Sequence, residues 1–392
     1  MLDRFITKLP KKVEFCKICV ISNQRPRISF IDGVCSACKH TMNKKQIDYK
    51  SKKDQLHSFL KKFKKKKDWD VIIPCSGGKD SSRVAHTLKY EFGMNPLCVT
   101  FAPNRYTEIG LENFENFVSS GFSVLNFFFN GKLYKKLSRI AFEELGDNFT
   151  PFVFGQMSYC YHIAQKFGIG LVFWGENAEL EYGGDETIVK NDKIDTSLSD
   201  AIYWKGSNVN ELISVGLKKY PNVLKEEDIC DADLIFLNTP KNVESLETAW
   251  MSTFMDWKPQ DNFYYAVQNT GFKPNPYISE GTFSKYASLD DKLDWLHYYM
   301  MFIKFGIGRA TSDACREIRE GLITREEACL LVNRYDGELT KKYFDHTLNY
   351  LNLDKKNFFR IVDSFRLDHI WTKSGANYKL RHTASLKGAD DK

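Results

Sequence analysis

Several features that would place this chain quickly are missing from it. No stretch approaches the roughly 18 consecutive apolar residues needed to cross a bilayer. The most apolar run, Tyr298–Ile303, stops at Lys304. Residues Met1 to Lys12 are charged throughout and lack the apolar centre of a secretory signal. These absences predict a cytoplasmic protein with no membrane partner. GxxxxGK[ST] does not occur, which excludes a Walker A loop, and neither does GxGxxG, which removes the main support for a dinucleotide site. Histidine is sparse at 8 residues, and no His-centred catalytic group stands out.

A strong charge of one sign also looks absent, since the formal net charge is only +6 over 392 residues. Its distribution is uneven. Residues 1–67 hold 19 Lys and Arg against 5 acids, a balance of +14, and the remainder carries −8. A basic head on a mildly acidic body predicts a separate N-terminal module. With 43% apolar residues the chain has ample material for a core, and its length suggests two or three domains. The reading divides it into a head (1–42), a basic linker helix (43–69), a nucleotide-binding domain (70–240), a helical region (241–386) and a flexible tail (387–392).

Ten cysteines in a reducing compartment are a poor disulfide framework. Four of them form two CxxC knuckles, Cys16/Cys19 and Cys35/Cys38, at the spacing of a zinc ribbon. Between them Ile28–Ile31 reads as a strand and Asp32-Gly33 as a turn. A closed four-Cys site has no open coordination position, so the expected Zn²⁺ is structural. The lysines that follow, including an unbroken Lys64–Lys67, accompany Ile47, Leu56, Phe59, Leu60 and Phe63 at loosely helical spacing. A zinc ribbon beside a basic helix is also a nucleic-acid footprint. Few aromatic or Arg residues join these lysines, so a solvated helix is favoured and nucleic acid is not expected as a partner.

The sharpest signal is Cys75-Ser76-Gly77-Gly78-Lys79-Asp80-Ser81-Ser82, between the strand Val71–Pro74 and a helical stretch Arg83–Phe92. Exposed backbone N–H groups and the positive helix end make an anion site there, and glycines allow close approach. The hydroxyls of Ser76, Ser81 and Ser82 can donate to phosphate oxygens. Asp80 cannot bind phosphate directly and is read as a Mg²⁺ ligand. Further strands are expected at Pro96–Phe101, Val124–Phe129, Ile169–Trp174 and Asp233–Leu237, which gives an α/β fold with a doubly wound parallel sheet. Ligands in such sheets lie at the carboxyl ends of the strands. That rule selects Thr100 and Phe101, and also Gly175-Glu176-Asn177.

Ser76, Gly77, Gly78, Asp80 and Ser81 fill the fixed positions of the SGGxDS loop, so the segment resembles the PP-loop ATP pyrophosphatases. The resemblance implies ATP cleavage between the α and β phosphates, with Lys79 neutralising charge, and places adenine and ribose near Thr100 and Phe101. Three further segments, Trp174–Gly184, Thr282–Thr311 and Arg316–Ala328, join the ribbon and the loop in resembling the N-acetyl sugar amidotransferases of O-antigen and flagellin glycan biosynthesis. This second resemblance implies conversion of an acetamido group to an acetamidino group on a lipopolysaccharide or nonulosonic (pseudaminic or legionaminic) sugar. Glu176, Asn177, Tyr182 and Arg309 are then candidates for substrate or Mg²⁺.

No cysteine occupies position 2 or a GxCxG turn, so a separate glutaminase subunit is expected to supply ammonia, and the family resemblance implies a cyclase-like companion for it. Leu293, Leu296, Tyr299, Met300 and Ile303 space as a core-facing helix stripe, and Thr324 with Glu326 and Glu327 as a helix start. Arg309, Arg316, Arg319 and Arg325 are read either as solvated helix charge, with pairs such as Arg316/Glu320, or as binders of a sugar carboxylate or nucleotide phosphate. Rival readings are a tRNA-thiolating enzyme, sustained by Cys75 beside the loop, and a non-catalytic binding module, against which the intact loop argues.

Overall fold

The computed structural model describes residues 2–184, 206–375 and 377–385. The expected tail at 387–392 lies outside the described residues. In the head, β1 (Phe30–Ile31) and β2 (Val34–Cys35) form a small antiparallel hairpin that leads into α1 (Ser36–Lys44). Then comes α2 (Tyr49–Leu60), capped by the Asp48 side chain, which accepts from the N–H groups of Lys50 and Ser51. Strand β3 (Val71–Pro74) and helix α3 (Lys79–His86), continued by a wider turn to Glu91, flank the glycine loop.

The chain continues through β4 (Pro96–Phe101), α4 (Glu108–Ser119), β5 (Ser123–Phe127), α5 (Gly131–Leu145), α6 (Thr150–Lys166), β6 (Leu171–Trp174) and α7 (Ala178–Glu181). Beyond it lie α8 (Val209–Lys219), α9 (Asp231–Leu234), β7 (Glu247–Trp250) and α10 (Pro259–Thr270). The last part is helical, with α11 (Asp294–Phe305), α12 (Arg309–Glu320), α13 (Arg325–Tyr335), α14 (Phe344–Leu351) and α15 (Lys355–Ser364). A hairpin, β8 (Trp371–Ser374) and β9 (Asn377–Leu380), closes it. Among the described residues no helix is long and apolar enough to cross a membrane.

Five strands make one parallel sheet in the order β5-β4-β3-β6-β7. The chain enters at the centre, runs outward through β4 and β5, then returns to lay β6 and β7 on the other side. This is a doubly wound sheet, and its order reverses beside β3, the place where such folds bind ligands. Alternation in β3 sends Val71 and Ile73 to one face and Ile72 to the other. Leu56 and Leu60 of α2 cover the first face with Val84 and Leu88. Helices α5, α6 and α8 cover the second. The lysine-rich linker is therefore a core-facing helix with its charges turned outward.

Two expectations need correction. Asp233–Leu237 is helical, first α9 and then a tighter turn; Leu234 and Leu237 are buried at a spacing of three while Ile235 is exposed. The fifth strand is instead β7, past the boundary placed at 240, so that boundary cuts the sheet. Its Glu-Thr-Ala-Trp sequence is short and half polar, which hides it from an apolar-run reading. The stripe Leu293, Leu296, Met300 and Ile303 is buried, with Tyr299 packed against it, and Thr324 and Glu327 form a capping box. Lys304, which ended the apolar run, is 2% exposed and pairs with buried Asp3 at 2.7 Å.

Candidate active site

Gly77 turns the chain after β3 at φ +81°, a conformation that a Cβ disfavours. A Cβ there would also stand 2.7 Å from the Phe114 Cα on α4. The turn brings Gly78 to the start of α3, where its N–H meets Ser76 Oγ at 3.4 Å and its carbonyl accepts from Ser81 Oγ at 3.2 Å. Asp80, in the first turn of α3, pairs with Lys79 and accepts from Asn262 Nδ2 of α10 at 2.9 Å. Burial would raise its carboxyl, but Lys79, Asn262 and Arg316 outweigh that and hold it below the usual carboxylate range. Asp80 thus offers a hard, ionised oxygen donor that suits Mg²⁺. Ser82 is fully buried and its hydroxyl has no partner, so its side chain is not on the loop's surface as expected.

The carboxyl end of β6 supplies the opposite wall. Glu176 Oε1 accepts from Tyr182 OH at 2.9 Å, and Oε2 accepts from Trp257 Nε1 at 3.1 Å and Arg316 Nη1 at 2.7 Å. Gly175 leaves room for Trp257, whose ring would stand 3.0 Å from a Cβ. Asn177 is a helix cap, accepting from Glu179 N at 3.1 Å, and its side chain is committed there rather than to a ligand. Tyr182 is flanked by the guanidinium groups of Arg25 and Arg316, and burial raises its hydroxyl well above the ordinary tyrosine range.

Thr100 and Phe101 are not assembled as expected. Thr100 donates to the Cys75 carbonyl at 2.6 Å, and the Phe101 ring lies in the core against Phe127, Phe129 and Tyr159. Gly155 exists to admit that ring, which would overlap a Cβ at 2.3 Å. Cys75 packs its thiol on Thr100 and beside Cys98 inside the sheet.

The third wall comes from α12. Arg309 stacks on Tyr298, donates to its hydroxyl and pairs with Asp313. Arg316, 5% exposed, bridges Glu176 to Glu320 at 3.4 Å. Burial, with Asp313 and Glu320 nearby, pushes the Glu317 carboxyl up to about 7. The sequence reading did not select Asn262, Trp257, Glu317 or Asp290. Asp290 lies beside Ser76, and burial pushes its carboxyl up to about 6 against the opposing pull of Ser76 and Lys79. Gly110 allows that contact, because a Cβ there would meet the Asp290 Cα at 2.8 Å. The doubled acid in Leu289-Asp290-Asp291 was the one available signal.

In the head the Sγ atoms of Cys16, Cys19, Cys35 and Cys38 are buried within 4.8 Å of one another. The Cys16–Cys38 and Cys19–Cys35 separations are 3.8 Å and 3.7 Å. A tetrahedron of thiolates at ~2.3 Å from zinc has edges of about 3.8 Å, so the donor set fits Zn²⁺. Backbone N–H groups of Ile18 and Cys35 point at Cys16 Sγ, each at 3.4 Å.

Strand order, loop position and four-cysteine head define an α/β protein with an SGGKDS loop at the switch point of a doubly wound sheet. Residues 280–385 match the family described as LPS biosynthesis protein WbpG-like, C-terminal domain. Over 94 residues the chain is 34% identical to the uncharacterized protein MJ1599 of Methanocaldococcus jannaschii, covering 23% of this chain and 33% of that protein. NMN synthetase from Francisella tularensis aligns with 57% of this chain and 87% of its own, at 16% identity and a TM-score of 0.27.

Proposed function

We propose that this chain is an ATP-dependent, AMP-forming amidotransferase that converts an acetamido group of a bacterial surface-glycan sugar to an acetamidino group. One observation carries the reading: Arg316, within the segment matched to a lipopolysaccharide-biosynthesis domain, forms an ion pair with Glu176 opposite the PP-loop. Arg316 also helps keep the Asp80 carboxyl of the loop ionised, which supports one site shared by the matched segment and the loop.

An amide oxygen is a poor leaving group, so it must first be activated. The acetamido oxygen attacks the ATP α-phosphorus, the bond to the β-phosphate oxygen breaks, and the amide N–H proton is lost. The products are an O-adenylyl imidate and pyrophosphate. Ammonia then adds to the imidate carbon and AMP leaves with the C–O bond. The first-turn N–H groups of α3, starting at Lys79, suit the departing pyrophosphate. Lys79 balances its charge, and Asp80 would hold Mg²⁺, which supplies further neutralisation. Ammonia would come from a separate glutaminase with a cyclase-like companion.

The test incubates the protein with ATP, Mg²⁺, ammonium and a panel of acetamido sugars, following AMP, pyrophosphate and amidine. The expected result is stoichiometric AMP and amidine. AMP that appears only with tRNA, with no sugar converted, would overturn the reading.

A further inference from the structure

A cavity of about 330 Å³ lies where the four-cysteine head meets the body, adjoining Glu176 through Trp257 and Arg316, both of which line it. Thr41, Lys44 and Lys45 form its head side; Lys258 and Arg319 add cations from the body. Three acids also line it, and each already has a cation: Glu181 has Lys44 at 3.0 Å, Glu320 has Arg316 at 3.4 Å, and Asp256 has Lys258 at 2.8 Å. Arg319 donates to the Glu181 carbonyl. Five cations line the cavity against three acids, and Glu176 behind Arg316 makes a fourth, which leaves an excess of one cation. Arg316 Nη2 is buried and makes no hydrogen bond, with Glu181 Oε2 at 3.7 Å. A buried guanidinium N–H without an acceptor is costly unless a ligand supplies one.

We infer that this cavity binds the anionic group of the acceptor sugar, a carboxylate or a diphosphate, with Arg316 as its innermost donor. This rests on the proposed reading of the acceptor as a sugar. Guanidinium geometry favours planar, bidentate recognition of either anion. The site would tether the acceptor through its charged end and leave its neutral acetamido group free to reach the PP-loop. It would also make the head part of the acceptor site, since Thr41, Lys44 and Lys45 close the cavity.

The experiment is calorimetric titration of the whole zinc-loaded protein, without ATP, using UDP-N-acetylglucosamine, N-acetylneuraminate and neutral N-acetylglucosamine. One anionic probe should bind at least about tenfold more tightly than the neutral sugar. Binding of the UDP sugar alone assigns the diphosphate, and binding of the sugar acid alone assigns the carboxylate. Thr41→Trp, which fills the cavity, should abolish that preference. The surface pair Lys45→Ala/Lys258→Ala should weaken it about tenfold while zinc content and ATP affinity stay unchanged. Equal affinity for all three probes, or an anion preference untouched in both variants, overturns the inference. Because no turnover is measured, failure of the amidine assay with the preference intact would strike the reaction and spare the pocket.

Discussion

Arg316 is the residue on which two parts of the molecule converge. It holds Glu176 of the cleft wall, approaches Glu181 of α7, and pairs with Glu320 on its own helix. Of the four arginines read as either solvated charge or ligand binders, it is the clearest departure from solvated charge, although the expected Arg316/Glu320 pair does form. Removing one member of a buried ionic group strands the others, so Arg316→Met should cost about 3–5 kcal/mol in chemical denaturation. Adding Glu176→Gln should recover part of that loss. Glu181 makes a pH prediction. Burial would raise its carboxyl, but His40, Arg316 and Lys44 lower it to about 2 from an ordinary 4.5. A depressed folded pKa means stability that is complete above 4.5 and lost as pH falls toward 2. The loss should reach about 3 kcal/mol over that window. Denaturation curves should show it in the native protein and not in Glu181→Gln.

Among the elements, the SGGKDS loop is the case in which local chemistry dictated everything needed. Gly77 is required twice, by its positive φ and by the backbone of α4 against it. Gly77→Ala should therefore displace the loop and lower AMP formation about 100-fold, the usual effect of a misplacement near 1 Å. Zinc content should not change. Helix α12 is a different case. Arg309, Asp313, Arg316, Glu317 and Glu320 recur at helical spacing, which reads equally well as a solvated face. Only the approach of this face to Glu176, Tyr182 and the loop makes it a wall of the cleft. Phe101 was misplaced for a related reason. The strand-end rule locates a backbone position, but the side chain follows the pleat into the core beside Gly155.

At the scale of the whole molecule, the head is not the separate module its charge suggested. Its buried side chains run without a break into those of α11, α12 and α15. Several of its cations engage the body: Arg27 grips Glu179 at 2.5 Å, Lys44 meets Glu181, and Arg25 donates to the Gly183 carbonyl at 3.1 Å. In return Arg325 of α13 donates to the carbonyls of Cys16 and Cys19, and the buried Cys315 of α12 packs in the same cluster as the four cysteines. Removing zinc should therefore loosen the cleft as well as the ribbon. Chelation is expected to lower the melting temperature by about 10 °C or more and to abolish amidine formation, with both restored by added Zn²⁺. Activity that survived complete zinc removal would show that the ribbon does not brace α7.

The sequence alone determined what depends on short stretches of chain: the glycine loop between strand and helix, the four-cysteine spacing, the core stripe of α11 and the cap at Thr324. Each is specified by neighbours within about a turn or a hairpin, where backbone sterics and side-chain chemistry act directly. Tertiary structure decided which distant charges meet. Asp290 beside Ser76, Arg316 beside Glu176, and the basic head against Glu179 and Glu181 join positions more than 100 residues apart, and no local rule relates them. Burial then turned those meetings into shifted carboxyls and a cleft.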